Sequence, residues 1–127
     1  MIDDAKLQRW IEELGYDTVL EAPSMLRLTP RKGAPLPAFF AQCTENWVLL
    51  SIIGLLEADA FRPRDFNRRL LAANREMRVA KFALDEHGAV VLCAELPTES
   101  LDPSELADAV ERMASLARRF RADFFSE

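Results

Sequence analysis

Three observations predict an α+β fold for this 127-residue chain. Helical periodicity marks both ends, strand-like segments separated by turn residues fill the middle, and a further helical stretch interrupts them. The order read from them is α-β-β-β-α-β-β-α: a mostly antiparallel sheet with helices packed on it, in a single domain over 1–127.

The first helix follows Asp3 or Asp4, either of which can cap it, and carries Leu7, Trp10, Ile11 and Leu14 at i, i+3, i+4, i+7. Gly15 can end it in the left-handed conformation. Thr18–Ala22 and Met25–Thr29 read as extended around Pro23-Ser24. The Pro30–Pro37 stretch (PRKGAPLP) reads as a loop poor in packing residues, the best candidate for a mobile segment. Ala38–Cys43 and Trp47–Leu56 read as a hairpin around Thr44-Glu45-Asn46.

The second of these strands is apolar on both faces. Trp47, Leu49, Ile53 and Leu55 point one way and Val48, Leu50, Ile52 and Leu56 the other. Such a strand is covered on both sides, either by a partner surface or by a strongly curved sheet wrapping its own core. Pro63 suits the first turn of a second helix with a buried stripe at Phe66, Leu70, Ala73 and Met77. Strands at Val79–Leu84 and Ala89–Leu96 flank the turn Asp85-Glu86-His87-Gly88, where glycine accepts a positive φ, and Pro97 closes the second of them. The last helix has Asp102 as cap, Pro103 at the first position and Glu105 completing a capping box. Leu106, Val110, Met113, Ala117, Phe120 and Phe124 form its stripe, with acids in its first turns and arginines in its last.

Half the residues are hydrophobic, which argues against disorder. The net charge of −5 argues against general binding to nucleic acid or anionic membranes. The chain opens Met-Ile-Asp-Asp, without a secretory pattern, and its longest apolar run, Trp47–Leu56, is too short to span a bilayer. A cytoplasmic, reduced protein is expected, with Cys43 and Cys93 as small buried hydrophobes.

No catalytic constellation is visible. His87 is the only histidine and falls in a hairpin turn, so neither a metal site nor a catalytic dyad is expected. The glycines are isolated, without a phosphate-binding pattern, and no cofactor is expected. Asp102, Glu105, Asp108 and Glu111 drift around the helix surface instead of converging on an ion.

From Arg62 to Lys81 seven basic residues face two acids, so the segment is +5 and the remainder −10. That face, with Arg64, Arg68 and Arg75, reads first as a solvated helix side with intramolecular or dimer ion pairs. An acidic protein partner comes second and nucleic acid third. Trp10 and Trp47 are the large apolar anchors, for a core or for an interface.

Lys81–Gly88, Val90-Val91-Leu92, Ala94–Pro97 and Leu101-Asp102 resemble the second half of YbjN-type proteins, described as candidate regulators of bacterial sensory transduction. With Leu70–Asn74 before it, the same part resembles CesT/Tir-type type III secretion chaperones, which share that fold. The resemblance covers about residues 47–120. It implies a small acidic protein, usually a homodimer, with no enzymatic chemistry. In the chaperones an extended client wraps around the dimer and lays apolar side chains into grooves. The basic Arg62–Lys81 segment and the Pro30–Pro37 loop depart from the chaperones and set this chain nearer the YbjN side.

The expected function is therefore a non-enzymatic, dimeric protein-binding module, chaperone-like or regulatory. It would dock a partner polypeptide in apolar grooves or along a sheet edge. The expected partner or dimer contacts are Trp10, Leu14, Trp47, Leu49, Ile53, Arg64, Arg68 and Arg75. The alternatives are a type III secretion chaperone for a specific effector, or a regulator contacting nucleic acid through the Arg62–Lys81 face.

Overall fold

The computed structural model describes residues 2–125. Among them the order is α1 (Asp4–Glu13), β1 (Tyr16–Ala22), β2 (Met25–Pro30), β3 (Phe39–Cys43), β4 (Trp47–Leu56), α2 (Phe66–Glu76), β5 (Ala80–Leu84), β6 (Val90–Pro97) and α3 (Pro103–Phe125). The class is the expected α+β. Four strands precede α2, one more than the expected order counts, because every extended segment anticipated there finds an antiparallel neighbour. The sheet runs β1-β2-β3-β4-β6-β5.

Local chemistry sets the helix ends. Asp3 caps α1, its Oδ1 accepting from the Lys6 N–H at 2.8 Å, and Gly15 follows the helix at φ +100°. At α3 the capping box is reciprocal: Asp102 Oδ1 accepts from Glu105 N–H at 2.9 Å, and Glu105 Oε1 accepts from Asp102 N–H at 3.2 Å. The second helix begins later than Pro63. Asp65 stands in the left-handed region at φ +59°, which breaks the helical path, so Pro63 belongs to the preceding turn and α2 starts at Phe66.

Register assigns each strand residue to a face. Leu26 and Leu28 align with Ala41 and Phe39, these with Leu50 and Ile52, and these with Ala94 and Leu92. All eight are buried and form one core with Leu7 and Ile11 of α1, Phe66 and Leu70 of α2, and the α3 stripe from Leu106 to Phe124. The three helices therefore bury their apolar stripes against the same side of the sheet. Phe66, Phe82, Phe120, Phe124 and Phe125 close one end of this core, with ring centroids 5.4–6.2 Å apart, mostly tilted or edge-to-face.

Two further details depart from the sequence reading. The loop after β2 is held: Leu36 packs against the core, and Arg118 donates to the Ala34 carbonyl through Nε at 3.1 Å and Nη2 at 2.7 Å. Strand β5 begins at Ala80 because Val79 takes φ +72°, and the Ala80 N–H closes a three-residue turn onto the Arg78 carbonyl at 2.8 Å.

Candidate functional site

The other side of the sheet has no helix packed on it. From Trp47 to Ile53 the odd-numbered β4 residues lie there, Leu49 and Ser51 in register with Gln42 and Phe40 of β3 and with Glu95 and Cys93 of β6; Leu55, expected on this face, packs against the core past the irregularity before Leu56. Trp47 and Ile53 keep 42% and 43% of their surface exposed, whereas Val48, Leu50 and Ile52 are essentially fully buried. Leu49 lies half-buried in a shallow depression with Met25, Phe40, Gln42, Cys93 and Glu95. Of the two ways of covering β4, the chain does not wrap its own core over this face. Charges border it: the Arg27 guanidinium lies 5.8 Å from the Phe40 ring and 3.7 Å from Glu21.

The outer strands of the sheet end differently. On β5 the Asn74 side chain behaves like a short strand: its Oδ1 accepts from the Phe82 N–H at 2.7 Å, and its Nδ2 donates to the Phe82 carbonyl at 2.9 Å. The Ala80 N–H is already taken by Arg78. These contacts plug the β5 edge against another strand. No such plug is found along β1 among the described residues, where Val19 and Leu20 are 60% and 63% exposed. One sheet edge is closed and the other open.

The expected contact residues fall in three places. Trp47, Leu49 and Ile53 share the bare sheet face. Trp10 lies half-buried on α1 against the core, with the Lys6 ammonium 5.5 Å from its ring, and Leu14 lines a groove between the end of α1 and α3. Arg64 stands in the turn before α2, and Arg68 and Arg75 stand on that helix. Sequence reasoning did not reach the Asn74 clasp, nor the part Met25 and Phe40 play in the bare face. Alternation within Phe39–Cys43 carries the only sequence signal for Phe40.

The expected intramolecular ion pairs of the basic segment are not found among the described residues. Arg62, Arg69, Arg78 and Lys81 donate instead to backbone carbonyls, including those of Gly88, Phe124, Met77 and Asn74. Arg64, Arg68 and Arg75 have neither a hydrogen-bond nor an ion-pair partner among those residues. The remaining reactive side chains are unremarkable in place. His87 sits at the hairpin tip, 3.5 Å from Glu86. Both cysteines are free thiols, and burial pushes Cys43 and Cys93 up from the usual thiol value.

A single α+β domain with helices on one sheet face and an open apolar surface on the other has the build of a protein-binding module. The model of the Tir chaperone protein (CesT) family matches residues 7–121, and the chain belongs to that family. Two solved structures share its fold, each with a TM-score of 0.69. One is a chain of the heterodimeric ExoU-SpcU complex from the type III secretion system of Pseudomonas aeruginosa, 22% identical, with 93% of this chain and 97% of that one covered. The other is YbjN of E. coli, a proposed transcription regulator, 17% identical, with 97% of this chain and 95% of that one covered. No curated protein matches the sequence. Family membership gives a chaperone-like, protein-binding role and points away from enzymatic chemistry. The two structures are equally near in fold, so shape does not set the chain nearer the YbjN side.

Proposed function

We propose that this protein is a cytoplasmic, homodimeric, non-enzymatic binding module that holds a partner polypeptide on the bare sheet face and along the open β1 edge. The observation carrying this reading is the outer face of β4, where Trp47, Leu49 and Ile53 stay uncovered while the alternate residues fill the core. Apolar anchors on such a face supply affinity, and free main-chain groups at a sheet edge supply direction. Exposed Val19 and Leu20 make β1 the edge on which an added strand also gains apolar contact.

A pull-down from the native cells tests it, using tagged wild type, Trp47→Ala and Leu49→Asp at low and high salt. One stoichiometric protein held at high salt by wild type and lost by both variants is expected, with thermal unfolding little changed. Equal capture by all three proteins contradicts the reading. Sedimentation of the purified protein reads the dimer directly.

A second reading is a type III secretion chaperone for one specific effector. It is favoured by membership in the Tir chaperone protein family together with the likeness to a chain of the ExoU-SpcU complex. Recovery of a secreted effector as the captured protein would establish it.

A further inference from the structure

A second groove lies on the helix side of the sheet, between the end of α1 and α3. Leu14, Val110 and Ala114 give it an apolar wall, and Tyr16, the first residue of β1, lines it as well. The groove holds about 420 Å³, within the ~300–1,000 Å³ of small-molecule sites.

Tyr16 carries the argument. Only 8% of its surface is exposed, and its ring packs edge-on to Phe39 with centroids 6.1 Å apart. A tyrosine held this deep normally finds a hydrogen-bond partner. The Tyr16 hydroxyl has none among the described residues. No fully buried side-chain polar atom among those residues lacks a partner, so this oxygen is not sealed in the core but opens onto the groove.

The charges around that oxygen are of both signs. Burial raises the Tyr16 pKa, and Arg118 and Glu111, which line the same groove, pull on it in opposite directions. The two stand on α3 about 10 Å apart along the helix axis, too far to neutralise each other. Glu111 forms no ion pair among the described residues. Arg118 spends Nε and Nη2 on the Ala34 carbonyl and keeps Nη1 without a partner among them. Arg119 stands on the same rim, its Nε donating to the Ser115 carbonyl at 3.4 Å. A purely anionic ligand would meet Glu111, and a purely cationic one would meet two arginines. A molecule carrying both charges satisfies both ends.

We infer that the α1–α3 groove is a binding site for a small zwitterion with an apolar body, an apolar amino acid or dipeptide. Its ammonium faces Glu111, its carboxylate faces Arg118 and Arg119, and its side chain lies on Leu14, Val110 and Ala114. The Tyr16 hydroxyl bonds a polar group between the two charges. The site uses none of the side chains assigned to the bare sheet face, so it stands or falls independently of that reading.

Isothermal titration calorimetry with leucine and dileucine tests it, alongside the N-acetylated, C-amidated and serine counterparts of each. Leucine or dileucine is expected to bind, and the tighter of the two identifies the source as free amino acid or peptide. Removing the ammonium, the carboxylate or the apolar side chain should each weaken binding at least tenfold. Tyr16→Phe keeps the ring and its packing on Phe39, so its urea midpoint should hold while affinity falls at least fivefold. Glu111→Gln should lower affinity tenfold and erase the preference for the free amine. Binding of the acetylated compound as tight as that of its parent would overturn the inference. So would wild-type affinity in both variants, which would move the ligand elsewhere, or no binding of leucine and dileucine at millimolar concentration.

Discussion

At single residues, three positions carry consequences for stability, one through backbone strain and two through acid sensitivity. Val79 holds φ +72°, a region that a β-branched side chain enters only under strain, and its side chain is largely out of the core. Such strain costs about 1–3 kcal/mol, whereas glycine costs roughly 0.5–1 kcal/mol through the unfolded chain. Val79→Gly is therefore expected to stabilise the protein by about 1 kcal/mol, read as a higher urea midpoint at unchanged slope. A lower midpoint would show that the valine side chain holds the turn.

The second case is acid sensitivity. The Ser104 hydroxyl and the Glu105 N–H hold the Asp102 carboxyl below the usual carboxylate value, and the N–H groups of His87 and Ala89 do the same for Asp85. A carboxyl with a lowered folded pKa adds stability that is fully present above its unfolded value, about 3.9. That stability is lost as pH falls through the lower folded value. Urea midpoints should stay flat from neutrality to about pH 5 with respect to these two groups and drop below about pH 4. In Asp85→Asn/Asp102→Asn, where the amide oxygens can still accept, the drop should shrink. An acid limb identical to wild type would assign it to other carboxylates.

At the scale of elements, the β5 edge depends on one amide. Asn74→Ala removes two hydrogen bonds to Phe82. At ~0.5–1.5 kcal/mol each, it should cost about 1–3 kcal/mol. It should also open the edge, so association that grows with protein concentration is expected in light scattering. Asn74→Asp can still accept from the Phe82 N–H but cannot donate to its carbonyl, and should fall between the two. A monodisperse, fully stable Asn74→Ala would show that the edge is guarded by something else. How far these elements were legible depends on the range of the chemistry. The α1 and α3 caps were plain because each is settled within three residues. The clasp was not, because Asn74 and Phe82 are eight residues apart and meet only once α2 has docked beside β5. The start of α2 was misread for a related reason: Pro63 fits a first helical turn, but Asp65 leaves the helical region before the helix can form.

For the whole molecule, the informative sign in the sequence was the double apolarity of Trp47–Leu56. Alternation gave the two faces over Trp47–Ile53 but failed at the irregularity before Leu56, where Leu55 packs against the core instead of sharing the face of Trp47. Which face the chain itself would cover was not written in that strand, since it depends on where the stripes of three helices converge. The eight candidate contacts were scattered by the fold for the same reason, with only Trp47, Leu49 and Ile53 sharing one surface. A chemical reporter stands beside those three. Cys93 lies on the bare face in register with Ser51, while Cys43 aligns with Val48 on the core side. In a Cys43→Ser background, labelling of Cys93 by a thiol reagent should be slow at neutral pH, since burial raises its pKa. It should slow at least tenfold further once a partner covers the face. Undiminished labelling in a saturated complex would move the partner elsewhere.

The closed β5 edge also limits what the molecule can build. In the polymer chemist's sense it is monofunctional. Copies that join through free strand edges have only β1 to offer, so the reaction stops at a pair. The resulting twelve-stranded ribbon would carry an Asn74 plug at either end. An uncovered apolar sheet face ordinarily invites runaway stacking; here edge-to-edge growth is held to two by the Asn74 clasp and the Arg78–Ala80 turn.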